Sequence, residues 1–405
     1  MSIFARVTWM AVACATVAAV VALAAPSRDG SSGSAPHGRI AAVRHPFFRA
    51  VYGGYGGTRL TPAREGARYG LMILHDYDRR VLPRLRARNP GLKVLMYVDM
   101  ASSDPRDPSG RMDWAGYADA TARHPGWFLR GRRGRPLIFK DYPTSRLMDV
   151  GNRSYQDAGA ARVIRTATAA GFDGVFLDDA NASLRWVLAG GSAACVTYPT
   201  TPQWQSAVYS FLSNVGPQLR RAGLLAVANI GGSTITPGLW EQWNGPLDGA
   251  MEESFTNGGA GPDTLANGQW QGKLSHAVWS EEHGKIGLDH AVTSKRRGAR
   301  YGLATMLLAA GGENLFSAST DYSHEVWWPD YAIAGALGSP LGRYRVLPNG
   351  VYRRDFANGV VLVNPGARAT RVVRLGGTYS GSGLRRVTRV SLAPASGVVL
   401  AKAGS

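Results

Sequence analysis

Eight times between residues 47 and 319, a short apolar run ends in polar or acidic residues and gives way to a connection, most often of helical period. The runs are FFRAVYGG near 47, YGLMILHD near 69, LKVLMYVDM near 92, FDGVFLDD near 172, LLAVANIGG near 224, DGAMEESF near 248, KIGLDHA near 285 and ENLFSAS near 313. Such alternation is the pattern of parallel strands linked by helices, and eight units predict an α/β fold of the closed (β/α)₈ TIM-barrel kind rather than an open doubly wound sheet. Helical stretches over 156–170, 201–222 and 295–310 each stop at a glycine, as helix C-termini prefer. The first crossover, 55–68, is short for a regular helix. The connection after the third strand, 101–152, is long and carries Asp104-Pro105, Asp107-Pro108 and His124-Pro125, so it is expected to fold over the barrel mouth.

The barrel accounts for residues 41–336. Beyond 337 the texture changes to short alternating runs, VYRRDF, GVVLVNP, TRVVRLGG, RVTRVSL and GVVLA, with Asn-Gly and Gly-rich turns, which predict a C-terminal β-sandwich-like module over 337–405. At the other end, Arg6, the apolar stretch 7–24 and the small-residue site Ala22-Leu23-Ala24 read as a secretory signal over 1–25, and 26–40 reads as a Gly/Ser/Pro-rich linker. The alternative for the apolar stretch is an uncleaved membrane anchor. Both put the rest of the chain in the cell envelope or outside it. Of the two cysteines, Cys14 lies in the signal, so Cys195 has no partner for an internal disulfide. The formal charge of +18 is carried mainly by arginine and spread along the chain, with rich runs at 130–135 and 295–297. It fits either attraction to anionic envelope polymers or solvated basic faces. No nucleic-acid-binding motif accompanies it, so nucleic acid is not an expected partner. A monomer is expected.

In a barrel of this kind polar residues at the C-terminal ends of strands converge on one mouth. Those ends are His75 and Asp76, Asp99, Asp178 and Asp179, Asn229, Glu252 and Glu253, Asp289 and His290, then Ser317 and Asp321. A ring so rich in carboxylates fits glycoside cleavage, in which one carboxylic acid protonates the leaving oxygen and one carboxylate attacks or activates water. An acid at a strand end can equally cap the next helix or pair with an arginine. Asp178 and the Glu252/Glu253 pair stand out, because they end strongly apolar strands that are not neighbours and so face each other across the mouth. Strand alternation decides which glutamate points inward. Tyr97 and Trp327 are aromatic candidates for stacking on sugar rings, Trp327 being open between that role and loop packing. There is no HExxH, GxSxG or GxGxxG spacing, so neither metal nor organic cofactor is expected.

GFDGVFLDD at 171–179 resembles the fourth-strand signature of a group of barrel glycoside hydrolases, and HPGWFLRGRRGRPL at 124–137 followed by RLMDVGNRSYQD at 146–157 resembles the segment that precedes it in hypothetical glycosyl hydrolase family 15. The layout is similar, more distantly, to the endo-alpha-1,4-polygalactosaminidase family, where an Asp after a DGVFLD-like strand and a Glu in an ESF-like strand are the catalytic pair. That resemblance implies Asp178 and Glu253 as catalytic residues here. The combined reading is a secreted glycoside hydrolase of an extracellular or cell-envelope polysaccharide, with Asp76, Tyr97, Asp99, Asp179, Asn229, Glu252, Asp289 and Trp327 as substrate contacts. The alternative is a barrel of the envelope that binds carbohydrate without cleaving it. The net charge of +18 speaks against a cationic polymer as substrate.

Overall fold

The computed structural model describes residues 46–107, 110–257, 264–320 and 322–404. The signal, the linker, Cys14 and Asp321 lie outside the described residues. Eight parallel strands form one sheet in chain order: β1 (Phe48–Ala50), β2 (Leu71–Leu74), β3 (Lys93–Asp99), β4 (Gly174–Asp178), β5 (Leu225–Asn229), β6 (Gly249–Glu253), β7 (Ile286–Ala291) and β8 (Asn314–Ala318). The sheet comes round on itself where Phe316 N donates to Pro46 O at 2.9 Å and Phe47 bridges Phe316 in parallel. All eight predicted strands are present, and the architecture is the predicted TIM barrel.

The runs are apolar on both faces because both faces are buried. Leu71, Ile73, Leu95, Phe176, Val227, Met251, Leu288 and Leu315 fill the barrel. Their alternates Met72, Leu74, Val94, Met96, Val175, Leu177, Ala226 and Ala250 pack against the surrounding helices. Two of those helices show how the ends are fixed. Arg153–Ala170 begins where the Asn152 side chain accepts from Ser154 N and Tyr155 N, and it stops at Gly171, whose φ of 78° is left-handed. Thr201–Arg221 starts on a capping box between Thr200 and Gln203. The first crossover holds only the five-residue helix Pro62–Gly66, as its length foretold.

The long connection is locked to the barrel through Trp114, which is fully buried and donates from Nε1 to Tyr155 O at 3.1 Å. Its indole lies on Gly159, where an added Cβ would sit 1.9 Å from Nε1. Gly159→Ala therefore forces the indole away and is expected to cost about 1–3 kcal/mol despite the better helix propensity of alanine, a loss that urea unfolding measures.

The C-terminal strands β9 (Arg345–Val346), β10 (Tyr352–Phe356), β11 (Gly359–Asn364), β12 (Arg371–Gly381), β13 (Leu384–Leu392) and β14 (Ser396–Lys402) make one antiparallel sheet in the order β9-β10-β11-β14-β12-β13. It has its own core of Val360, Leu362, Val373, Leu375, Val390, Leu392 and Leu400. It is also fastened to the helix Arg296–Ala309. Gly397 approaches Ala304 so closely that a Cβ there would lie 2.7 Å away, and buried Arg354 donates to Leu307 O (2.9 Å) and Ala310 O (2.7 Å) at that helix's C-terminus. No helix among the described residues is long and apolar enough to cross a membrane.

Candidate active site

A cavity of about 300 Å³ opens at the C-terminal ends of the strands. Alternation with the barrel-filling residues decides what enters it. Leu95 points inward, and so do Tyr97 and Asp99; Phe176 brings Asp178, Val227 brings Asn229 and Met251 brings Glu253. The register ambiguity at Glu252/Glu253 is thus resolved by Met251: its neighbour two residues on, Glu253, lines the cavity.

The inward residues form one hydrogen-bonded chain. Tyr97 Oη donates to Asp178 Oδ2 at 2.7 Å, and Asn229 Nδ2 donates to Asp178 Oδ1 at 3.0 Å. The same Asn229 nitrogen donates to Glu253 Oε2 at 3.0 Å, and Tyr322 Oη donates to Glu253 Oε1 at 2.6 Å. Strand β5 thus supplies, between β4 and β6, one amide that holds both carboxylates. Two oxygens sharing one nitrogen cannot be more than about 6 Å apart.

Around this pair the cavity is acidic. Asp99, Asp104, Asp113 and Asp179 join Asp178 and Glu253 in its lining, where the one cationic side chain among the described residues is Arg106, held at 2.7 Å by Asp104. Burial, then the Glu253 charge, pushes the Asp178 carboxyl above the ordinary range, against the pull of its Tyr97 and Asn229 hydrogen bonds. Burial raises Asp99 to about 8, opposed by the Ser102 hydroxyl and reinforced by Asp178. Asp179 is pushed well up by burial and by the charges of Asp99 and Asp178. Its φ of 63° is left-handed, a strained conformation for a non-glycine residue, and its Oδ1 accepts from Asn181 Nδ2 at 2.9 Å. Two histidines that end strands are neutral: burial lowers His75 and His290 to about 4.

Four of the expected substrate contacts lie elsewhere. Glu252 is 1 % exposed and points outward from β6, where it meets Lys273, His276 Nδ1 (2.8 Å) and Ser233 Oγ (2.5 Å). Burial pushes its carboxyl up, but Lys273 and His276 together hold it at about 2. Asp289 is its register partner on β7 and is buried on the same outer face, where burial and then the Glu252 charge hold it well above the ordinary range. Asp76 opens a short 3₁₀ turn and pairs with Arg79 at 2.8 Å. Trp327 packs edge-on against Phe47, with ring centroids 5.4 Å apart, beneath the Arg68 guanidinium, and is not among the residues lining the cavity. Tyr97, Asp99, Asp179 and Asn229 do line the cavity. Sequence reading passed over Tyr322, Asn181 and the contributors from the long connection, Ser102, Asp104, Arg106, Asp113 and Tyr142. Only their place in segments after strand ends could have pointed to them.

An eight-stranded parallel barrel with facing carboxylates at the C-terminal mouth is the architecture of barrel glycoside hydrolases. The sequence profile of hypothetical glycosyl hydrolase family 15 matches residues 86–360, and the chain belongs to that family. Its activity class is therefore glycoside hydrolysis, and its substrate is a carbohydrate. Among solved structures, an alpha-amylase from Anoxybacillus shares 9 % identity over 91 % of this chain and all of its own, with a TM-score of 0.52, a likeness of fold. The glycoside hydrolase domain of PelA from Pseudomonas aeruginosa matches at 16 % identity over 69 % of this chain and 96 % of its own, TM-score 0.44. Ega3 from Aspergillus fumigatus, solved with galactosamine, matches at 12 % identity over 74 % and 98 %, TM-score 0.45. No curated protein sequence matches the chain.

Proposed function

We propose that this chain is an exported, retaining glycoside hydrolase that uses Asp178 as nucleophile and Glu253 as general acid/base on a glycan bearing free amino groups. The observation that carries the reading is the Asn229 amide shared by both carboxylates. The two bridged oxygens lie within about 6 Å of each other, a closeness that supports direct attack by one carboxylate over the wider spacing of an inverting pair. In the first step Glu253 protonates the leaving oxygen while Asp178 attacks the anomeric carbon; in the second Glu253 takes a proton from water, which displaces Asp178. The first step requires the proton on Glu253 and an ionised Asp178. Tyr97, Asn229 and Tyr322 orient the pair. Export is supported by the signal-like N-terminus.

The acidic lining supports the substrate class. The +18 of the whole chain is not the charge a substrate meets inside the cavity, where, among the described residues, six carboxyls face one guanidinium that Asp104 already pairs. Burial, and after it the charges of neighbouring carboxyls, favours the protonated forms of Asp99 and Asp179 in the cavity; an ammonium group on the sugar favours their charged forms. Binding such a sugar releases protons, so it tightens as pH rises toward the raised Asp99 value of about 8. KM for an amino-sugar oligosaccharide is expected to fall roughly tenfold per pH unit at most on approaching that value, while KM for its N-acetylated counterpart stays flat. Parallel pH profiles for the two would remove the amino-sugar assignment. The reaction itself is tested by reducing-end release from neutral, acidic and amino-sugar polysaccharides. Cleavage of an amino-sugar polymer supports the whole reading, whereas binding without cleavage by wild type and variants alike would leave a carbohydrate-binding barrel.

A further inference from the structure

The C-terminal sheet carries a charge that the barrel does not. Eleven Lys or Arg residues fall between 337 and 405 against one acid, Asp355, so this sixth of the chain holds +10 of the net +18. Asp355 is already occupied by Arg345 and Arg353, and Arg354 is buried against the barrel helix. Arg374, Arg385, Arg386 and Arg389, on β12 and β13, are exposed and make no ion pair among the described residues.

Arg374 and Arg389 are direct register partners across β12 and β13. The residues beside them, Val373, Leu375 and Val390, are buried, so both guanidinium groups leave the sheet on its opposite, solvent side. Like charges directly opposite destabilise a sheet. Charged residues on an edge strand ward off unwanted pairing, and β13 is an edge, which accounts for Arg389. At Arg374 the other side of β12 is open as well, since β14 meets it only at Tyr379 and Ser380, so the two guanidinium groups lie on a two-stranded stretch of the sheet. Arg385 and Arg386 precede Arg389 on the same strand, which kinks at Arg386 (φ 45°), so the cations spread along the hairpin and do not meet at a single point. Exposed arginines spread in this way suit anionic groups repeated along a chain, and the planar fork of arginine pairs with a carboxylate through two hydrogen bonds.

We propose that the outer face of the β12–β13 hairpin is a docking surface for an acidic, carboxylate-bearing polysaccharide, distinct from the barrel mouth. It would hold the enzyme on an anionic polymer while the acidic cavity works on another chain. Binding is read without turnover, so it stands or falls separately from the catalytic assignment.

The test is co-sedimentation of the chain lacking residues 1–25 with polygalacturonate, beside neutral dextran, phosphatidylglycerol vesicles and duplex DNA at matched anionic charge. Wild type is expected to bind polygalacturonate best and dextran not at all, and to lose that binding as salt rises. Arg374→Gln with Arg389→Gln, and separately Arg385→Gln with Arg386→Gln, are each expected to weaken it about tenfold or more. The first pair should melt no lower than wild type, since it removes a repulsion, which a structural role would not allow. Variants that bind as tightly as wild type, or a wild type that prefers vesicles or DNA, would overturn the proposal.

Discussion

Asp178→Asn and Glu253→Gln are each expected to lower kcat by about three orders of magnitude on a natural glycan while leaving the fold intact. Both replacements are isosteric, and each still offers an oxygen to the shared Asn229 amide. Thermal stability is expected to rise in Asp178→Asn above neutral pH. The sign follows from the raised carboxyl: stability is full below the ordinary carboxylate pKa and is lost as pH climbs through the folded value, and a neutral amide escapes that loss. The two variants then separate the roles. With a substrate whose leaving group needs no protonation, Glu253→Gln recovers its first step and accumulates a glycosyl-enzyme, whereas Asp178→Asn does not. In Glu253→Ala and Asp178→Ala, where the shortened side chain leaves room for it, added azide is expected to restore turnover, giving product of retained configuration from the first and inverted configuration from the second. The opposite pattern would exchange the two assignments. If wild type releases product of inverted configuration, as read by proton NMR in the first minutes, the retaining mechanism fails.

The barrel was legible because its strands are buried on both faces, which forces near-continuous apolar runs and marks their ends sharply. The same property hid the direction of each side chain. In GAMEE, Ala250 packs on helices and Met251 fills the barrel, so both faces are apolar and no polarity pattern says whether Glu252 or Glu253 turns inward. Asp289 was indistinguishable from an inward acid for that reason, although its neighbours Leu288 and His290 are the inward residues. Asp178 fared better because Asp179 leaves the strand in a left-handed turn. Trp327 drew attention by its size, yet Tyr322, five residues earlier, reaches Glu253 from the loop. Loop paths are set by packing such as Phe47 against Trp327, which local sequence does not encode. Net charge misled differently. It averages an acidic cavity with a basic C-terminal sheet, two surfaces that meet different partners.

Lys273→Met is expected to destabilise the protein by about 3–5 kcal/mol, because it leaves Glu252 as a buried carboxylate stripped of its closest cation. Lys273 and His276 lie three apart on the helix Asn267–Glu282 and so share the face that meets β6. Trp240 stacks on His276 with centroids 4.8 Å apart and fixes its ring, while Ser233 takes up a further position on the carboxylate. The network holds Glu252 at about 2, below the ordinary value, so its contribution is present above that ordinary value and is lost as pH falls through about 2. Urea unfolding at pH 7 reads the loss in Lys273→Met, and a change under about 1 kcal/mol would show that His276 alone suffices. Adding Glu252→Gln to Lys273→Met removes the uncompensated charge and should recover most of the stability. Glu252→Gln alone should keep kcat within about tenfold of wild type, against the thousandfold loss in Glu253→Gln, since its carboxylate never reaches the cavity. Adjacent glutamates on one strand would then differ in role because the strand turns one toward the substrate and the other toward a helix.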